Sequence, residues 1–213
     1  IELEKNITKK TKALILVHLF GNVAKINKIK KICKKHKIYL IEDCAESLGS
    51  LYKNKHLGTF GDVGVYSFNG TKTITTGGEG GMLITNNKNL AEKARKFADL
   101  GYRKLTASSI SNEDIKSKIQ HFSYKRHELV GYNYRMPDVC SAIGLAQLSK
   151  MSTLVNKRIK IAKKLIDVLN QYNWIKTQIV PKNFVSSYWT VAFLIKKREH
   201  NIWDKFRKKF IEL

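Results

Sequence analysis

The chain has 213 residues, enough for one domain or one and a half. Hydrophobic residues make up 43% and charged residues 27%, which excludes a disordered tail, a collagen-like fibre and a disulfide scaffold. Forty Lys and Arg against 17 Asp and Glu leave a formal net charge of +23, which invites a nucleic-acid reading. Yet only seven of the forty are Arg, the fork that grips phosphate and guanine. The lysines are spread along the chain beside Ile and Asn and read first as solvated faces, with an anion-attracting surface second. The three cysteines, Cys33, Cys44 and Cys140, have neither a C-x-x-C pairing nor metal-ligand spacing, which fits a reducing, cytoplasmic setting. No apolar run approaches the ~18 residues of a membrane span, and no signal-peptide pattern is visible. The charged opening from Ile1 and the helical pattern running up to Leu213 give the expectation that both ends are cuts in a longer protein.

Along the chain, Ala13 to Val17 is a short apolar run and reads as a buried strand. Asn22 to Lys37 follows as an amphipathic helix, with Val23, Ile26, Ile29 and Cys33 at helical spacing. Ile38 to Ile41 is again strand-like. Strand, helix and strand in that order imply parallel strands joined by a right-handed crossover. Glu42 and Asp43 then fall at the carboxyl end of the second strand, where open α/β sheets bind ligands. Val63 to Phe68 and Gly81 to Thr85 read as two more strands. The segment between them has no helical pattern, so the second is expected antiparallel to the first.

Asn86 or Asn87 can cap a helix running to about Asp99, with Leu90, Ala94 and Phe97 on one face. Tyr102 to Ser123 is polar and irregular and reads as a loop or insertion. Pro137 suits the first turn of a helix through Leu148. Val155, Ile159, Ala162, Ile166 and Leu169 mark a second long helix. A domain junction is expected near Gln171 to Asn183, and Tyr188 to Ile195 reads as a strand of the following unit. No internal repeat or low-complexity tract is present.

Three clusters carry candidate chemistry. Glu42-Asp43-Cys44-Ala45-Glu46-Ser47-Leu48-Gly49 starts where a strand ends; its plain reading is a capping turn. Ser67-Phe68-Asn69-Gly70-Thr71-Lys72 runs into Thr75-Thr76-Gly77-Gly78-Glu79-Gly80-Gly81, whose backbone amides could approach an anion. It is neither a Walker loop nor a dinucleotide fingerprint, because the Gly-Lys-Ser/Thr and the following helix are missing. Lys72 is one of 33 lysines, and its position alone does not single it out. Gly131-Tyr132-Asn133-Tyr134-Arg135-Met136-Pro137 precedes a helix and by itself reads as an aromatic loop.

In combination the clusters resemble the DegT/DnrJ/EryC1/StrS family of sugar aminotransferases that use pyridoxal phosphate. The resemblance runs from His18-Leu19-Phe20-Gly21, through Ile41 to Gly49, Gly58-Thr59-Phe60-Gly61-Asp62 and Ser67-Phe68 with Lys72. It continues through Thr75 to Met82 and Gly131 to Met136 to Gly144-Leu145-Ala146-Gln147-Leu148, covering at least residues 13 to 195. It is strongest toward the branch making 4-amino-4,6-dideoxy sugars on nucleotide carriers, perosamine synthases among them. The Ala45-Glu46-Ser47 and Ser67-Phe68-Asn69-Gly70 wording also resembles the branch serving nonulosonic acid synthesis.

The resemblance implies an α/β chain, part of a fold-type I pyridoxal phosphate transferase. Its mostly parallel sheet would be flanked by helices, with the start of a small α+β domain. Residues 1–150 would be the C-terminal part of the large cofactor-binding domain, and residues 151–213 the linking helix and the beginning of the small domain. It further implies that Lys72 bonds the cofactor and shuttles the proton, and that Asp43 pairs with the pyridine nitrogen. Glu46 would lie beside the ring and Ser67 would hold the phosphate. Asn133 and, less directly, Arg135 would reach the phosphate region of a neighbouring subunit, which makes a homodimer part of the site. No metal is implied. Lys72 stands where dehydratase relatives carry His, which favours amino transfer, with glutamate as donor and a nucleotide-linked keto-sugar as acceptor. Family members are longer, so the resemblance also implies a chain incomplete at both ends. Two other readings stay open: an inactive fragment or partner subunit of such an enzyme, and, remotely, a basic nucleic-acid-binding module.

Overall fold

The computed structural model describes residues 2–102, 121–196 and 200–212. In chain order the elements are helix α1 (Glu2–Lys5), β1 (Ala13–Val17), a 3-10 turn (Leu19–Gly21), α2 (Ile26–His36), β2 (Tyr39–Asp43), β3 (Leu51–Tyr52), β4 (Lys55–His56), β5 (Val63–Ser67) and β6 (Gly81–Ile84). There follow α3 (Lys88–Ala98), α4 (Asp138–Leu148), α5 (Met151–Leu169), β7 (Ile175–Thr177), β8 (Phe184–Val185), β9 (Phe193–Ile195) and α6 (His200–Ile211). Most of the expected loop or insertion from Tyr102 to Ser123 lies outside the described residues.

The main sheet has the order β1-β2-β5-β6. β1, β2 and β5 are parallel, with Val17 opposite Asp43 and Asp43 opposite Val65. β6 returns antiparallel along β5, as the missing helical pattern between them predicted. Leu16, Ile26, Cys33, Ile38 and Leu40 form the core between β1, β2 and α2. α2 ends where Lys37 turns left-handed (φ 54°) and the Ile38 amide donates back to the Cys33 carbonyl, a Schellman-type stop that feeds directly into β2.

Three expectations need correction. α2 starts at Ile26 and not at Asn22. Asn22 stays extended and ends the 3-10 turn, its amide donating to the Leu19 carbonyl, its side-chain oxygen accepting from the Val23 amide and its side-chain amide donating to the Ile179 carbonyl. β1 is a strand with the expected bounds, but only Leu16 in it is buried. It lies at the end of the described sheet order, and Ile15 and Val17 are exposed. The stretch from Tyr188 to Ile195 is a strand only over Phe193–Ile195. Its first part bends instead, with Tyr188 at φ 47°.

That bend follows a seam of short bonds. β8 pairs antiparallel with β3, extending the β3–β4 hairpin. The hairpin turns on Lys53 and Asn54, both at positive φ, the backbone signature of a two-residue type I′ turn. Beyond β8 the Ser186 and Ser50 hydroxyls both donate to the Gly21 carbonyl, and the Ser187 amide donates to Ser50 Oγ. Residues 184–187 are thereby tied to the end of β1 and to the turn after β2.

Candidate functional site

The period-two alternation of β2 separates two neighbouring carboxylates. Leu40 and Glu42 are buried on one face, while Ile41 and Asp43 are half-buried on the other. Glu42 is fully buried and fully used. Oε2 accepts from His18 Nε2 at 3.0 Å and from the Gly58 amide at 2.9 Å; Oε1 accepts from the amides of Phe60 at 2.7 Å and Gly61 at 2.6 Å. Burial by itself pushes the Glu42 carboxyl upward, but the bonds from His18 and the three amides outweigh it and hold it below the usual carboxylate range. Cys44 lies beside this pair; burial pushes its thiol up to about 12, so it stays neutral and unreactive. Ligand atoms of His18, Glu42 and Cys44 all lie within 4.8 Å of one another. With four N–H donors already on its oxygens, Glu42 acts as a structural clamp and has no lone pair directed at an ion.

Asp43, at the carboxyl end of β2, accepts from the Ala45 amide at 3.0 Å, a short Asx turn that fixes its carboxylate. Its backbone carbonyl accepts from the His18 amide, and the Cys44 amide donates to the Val65 carbonyl, so the ends of β1, β2 and β5 are stitched together. Glu46 Oε2 accepts from the Phe20 amide at 2.8 Å and so holds the turn after β1. Phe20 itself sits at φ 58°, a conformation that this bond helps to retain.

Ser67 closes β5, two residues beyond Val65, the partner of Asp43 in the β2–β5 ladder. The chain then turns on Asn69. Its Oδ1 accepts from the Thr71 amide and hydroxyl, its side-chain amide donates to Glu79 Oε1 at 2.6 Å, and its carbonyl accepts from the Lys72 amide at 2.9 Å. Ile74 and Thr76 are buried, and the Thr76 hydroxyl donates to the Glu79 carbonyl at 3.0 Å, fastening the return into β6. Lys72 thus rides on a turn anchored on both sides. Its Nζ lies 4.8 Å from the centre of the Trp189 ring, and Trp189 Nε1 donates to the Thr71 carbonyl at 3.3 Å.

Asn133 and Arg135 are placed elsewhere on the chain, against the end of α3. Asn133 bridges to Asp99, and the Arg135 guanidinium reaches Asp99 at 3.1 Å and Asn133 Oδ1 at 3.4 Å. The amides of Tyr132 and Tyr134 donate to the carbonyls of Phe97 and Ala98, so the aromatic loop is pinned to the helix. The structure therefore groups Asp43, Glu46, Ser67 and Lys72 on elements at one end of the parallel strands and holds Asn133 and Arg135 as a second group. Sequence reasoning missed Trp189, whose only signal was its place in an aromatic run, and the His18–Glu42 pair. The latter could have been found from two polar residues at adjacent strand ends.

A carboxylate, a hydroxyl, a lysine amine and a glycine-rich return lie at the carboxyl ends of parallel strands, the end at which open α/β sheets bind ligands. The sequence comparison narrows this to a family. Over residues 1–213 the chain matches the DegT/DnrJ/EryC1/StrS aminotransferase family, and it belongs to that family. It is 38% identical over 201 residues to the GDP-perosamine synthase of Escherichia coli O157:H7, covering 93% of this chain and 49% of that protein. It is 35% identical over 162 residues to the UDP-4-amino-4,6-dideoxy-N-acetyl-beta-L-altrosamine transaminase of Helicobacter pylori, covering 76% of this chain and 39% of that protein. Among solved structures it superposes on an E. coli GDP-4-keto-6-deoxy-D-mannose-3-dehydratase with bound hydrated PLP. The TM-score is 0.82 at 28% identity, over 99% of this chain and 53% of that one. The chain spans about half the length of the curated relatives it matches.

Proposed function

We propose that the chain forms part of a pyridoxal phosphate-dependent aminotransferase that moves an amino group, from glutamate, to the 4-keto carbon of a nucleotide-linked 6-deoxy sugar for polysaccharide or glycan biosynthesis. The observation that carries the reading is Lys72, an amine on a doubly anchored turn directly after β5, in a chain of this family. The names of the E. coli and H. pylori relatives support a 4-amino-4,6-dideoxy sugar product.

The donor set fits the cofactor. Pyridoxal phosphate requires an amine to bond its aldehyde, an acid for its ring nitrogen, and neutral donors for its phosphate. Lys72, Asp43 and Ser67 supply these in turn. When bound, the cofactor acts as an electron sink for the carbon that gains or loses the amine. Lys72 would hold the cofactor through Nζ, and the same atom would carry a proton when free. Asp43, oriented by the Ala45 amide, would hold the ring-nitrogen proton. The Ser67 hydroxyl would hold the phosphate, and Glu46, which fixes the turn after β1 through the Phe20 amide, would lie beside the ring. Asn133 and Arg135 serve the phosphate region of the neighbouring subunit in a homodimer; the Asp99 carboxylate orients the Arg135 guanidinium for that role.

On this reading residues 1–150 belong to the large cofactor-binding domain and residues 151–213 open the small one. A cytoplasmic location agrees with three free cysteines, and no described helix is long and apolar enough to cross a membrane. The test is release of 2-oxoglutarate from glutamate in the presence of a nucleotide-linked 4-keto-6-deoxy sugar. Lys72→Ala should reduce it to background; full turnover in that variant would refute the assignment.

A further inference from the structure

The Lys72 amine meets only one aromatic ring among the described residues, and that ring comes from more than a hundred residues further along the chain. Trp189 is held from three directions. Its carbonyl accepts from the Arg158 guanidinium of α5 at 3.3 Å. Its indole N–H donates to the Thr71 carbonyl, the residue before the lysine. Its backbone presses on Gly21: a Cβ at Gly21 would meet the Tyr188 amide nitrogen at 2.8 Å and the Trp189 amide nitrogen at 3.0 Å. Ser186, Ser187 and Ser50 close the seam behind it. A ring fixed this firmly does not need to reorganise to accept a cation. The face of an indole attracts an ammonium through its quadrupole, and 4.8 Å is within the range of that attraction.

We propose that Trp189 is a positioning residue for Lys72. Its ring is the perch on which the ammonium rests when the lysine is not bonded to the cofactor, and its N–H fixes the turn that carries the lysine. The segment after the expected domain junction thereby sets the location of the reactive amine. The inference rests on the reading of Lys72 as the cofactor-bonding residue, but the contact itself can be tested without cofactor.

The full chain is pulsed with an acetylating reagent in the absence of pyridoxal phosphate, and the rate at Lys72 is read by peptide mass against exposed Lys9 and Lys10. In Trp189→Leu the relative rate should rise about two- to fivefold, the range corresponding to a partly exposed cation–π contact. Trp189→Phe, which keeps a ring face, should restore slow labelling. A general loosening of the fold would speed labelling at Lys72 in both variants. An unchanged rate in Trp189→Leu overturns the proposal, and so does equal acceleration in both. Should Trp189→Leu not fold, indole emission decides. Lys72→Met should shift it in the otherwise unaltered chain and leave it unshifted in a Trp189→Phe background. A shift of equal size in both, or in neither, overturns the proposal. A parallel arm adds pyridoxal phosphate and borohydride and locates the modified lysine. Modification of lysines other than Lys72 would count against the cofactor reading, while the acetylation rates alone decide the role of Trp189.

Discussion

Glu42 illustrates what a single buried charge demands. Its carboxylate gathers one imidazole and three amides, so the loop from Leu57 to Gly61 and the end of β1 are fastened to the strand that presents Asp43. Glu42→Gln keeps the shape but removes the charge and puts an NH2 group against N–H donors. Loss of one partner of a buried pair costs about 3–5 kcal/mol, a loss that urea unfolding at neutral pH should register. The same residue gives a pH dependence with a definite sign. Its folded-state pKa is lowered, so its contribution to stability is complete above the ordinary carboxylate range and is lost as pH falls through the depressed folded value. The stability of the wild-type chain should therefore decline on acidification more steeply than that of Glu42→Gln, as parallel unfolding curves from pH 7 to pH 3 would record. Neighbouring Asp43 performs a different task because strand alternation turns it to the other face. The sequence placed both carboxylates at the end of a strand, but nothing in Glu-Asp says which one is buried.

At the scale of elements, the parts set by local chemistry were the ones the sequence disclosed. The Asn87 cap, with Oδ1 accepting from the amides of Asn89 and Leu90, begins α3 where the residue pattern placed it. Asn87→Ala should lower stability by about 1 kcal/mol in thermal or urea unfolding. The antiparallel return of β6 followed from the absence of a helical pattern before it. What escaped the reading depends on distant contacts. α2 starts late because Asn22 bonds to Ile179 far along the chain, and Tyr188 bends because the serine seam pulls residues 184–187 onto Gly21 and Ser50. The Lys53–Asn54 turn lacked the glycine that usually announces a hairpin. Gly21 joins these distant contacts at a site with φ +76°. Gly21→Ala should cost at least about 2 kcal/mol, from left-handed strain and from backbone atoms already at contact distance. Gly70→Ala, which meets nothing within 4 Å, should stay within about 0.5 kcal/mol.

The chain as a whole presents apolar surface that the described residues do not cover. α4 has no buried residue, and Val139 and Leu145 on it are exposed at 73% and 70%. With Leu148 and Met136 it borders a cavity of about 490 Å3 against β5 and β6. Such a surface favours association. The 213-residue chain should sediment with a mass that rises with concentration, and Val139→Glu with Leu145→Glu should lower that mass; a monomer at every concentration would contradict this. The net charge of +23 is compatible with an anionic, phosphorylated ligand as readily as with nucleic acid. The central claim is that Lys72 is the amine on which this site is built. It is tested most directly by titrating the purified chain with pyridoxal phosphate, beside Lys72→Ala, and following visible absorption. A saturable new band in the wild-type chain that is lost in the variant is the predicted result. A band of equal strength in Lys72→Ala, or none in either protein, would contradict the claim.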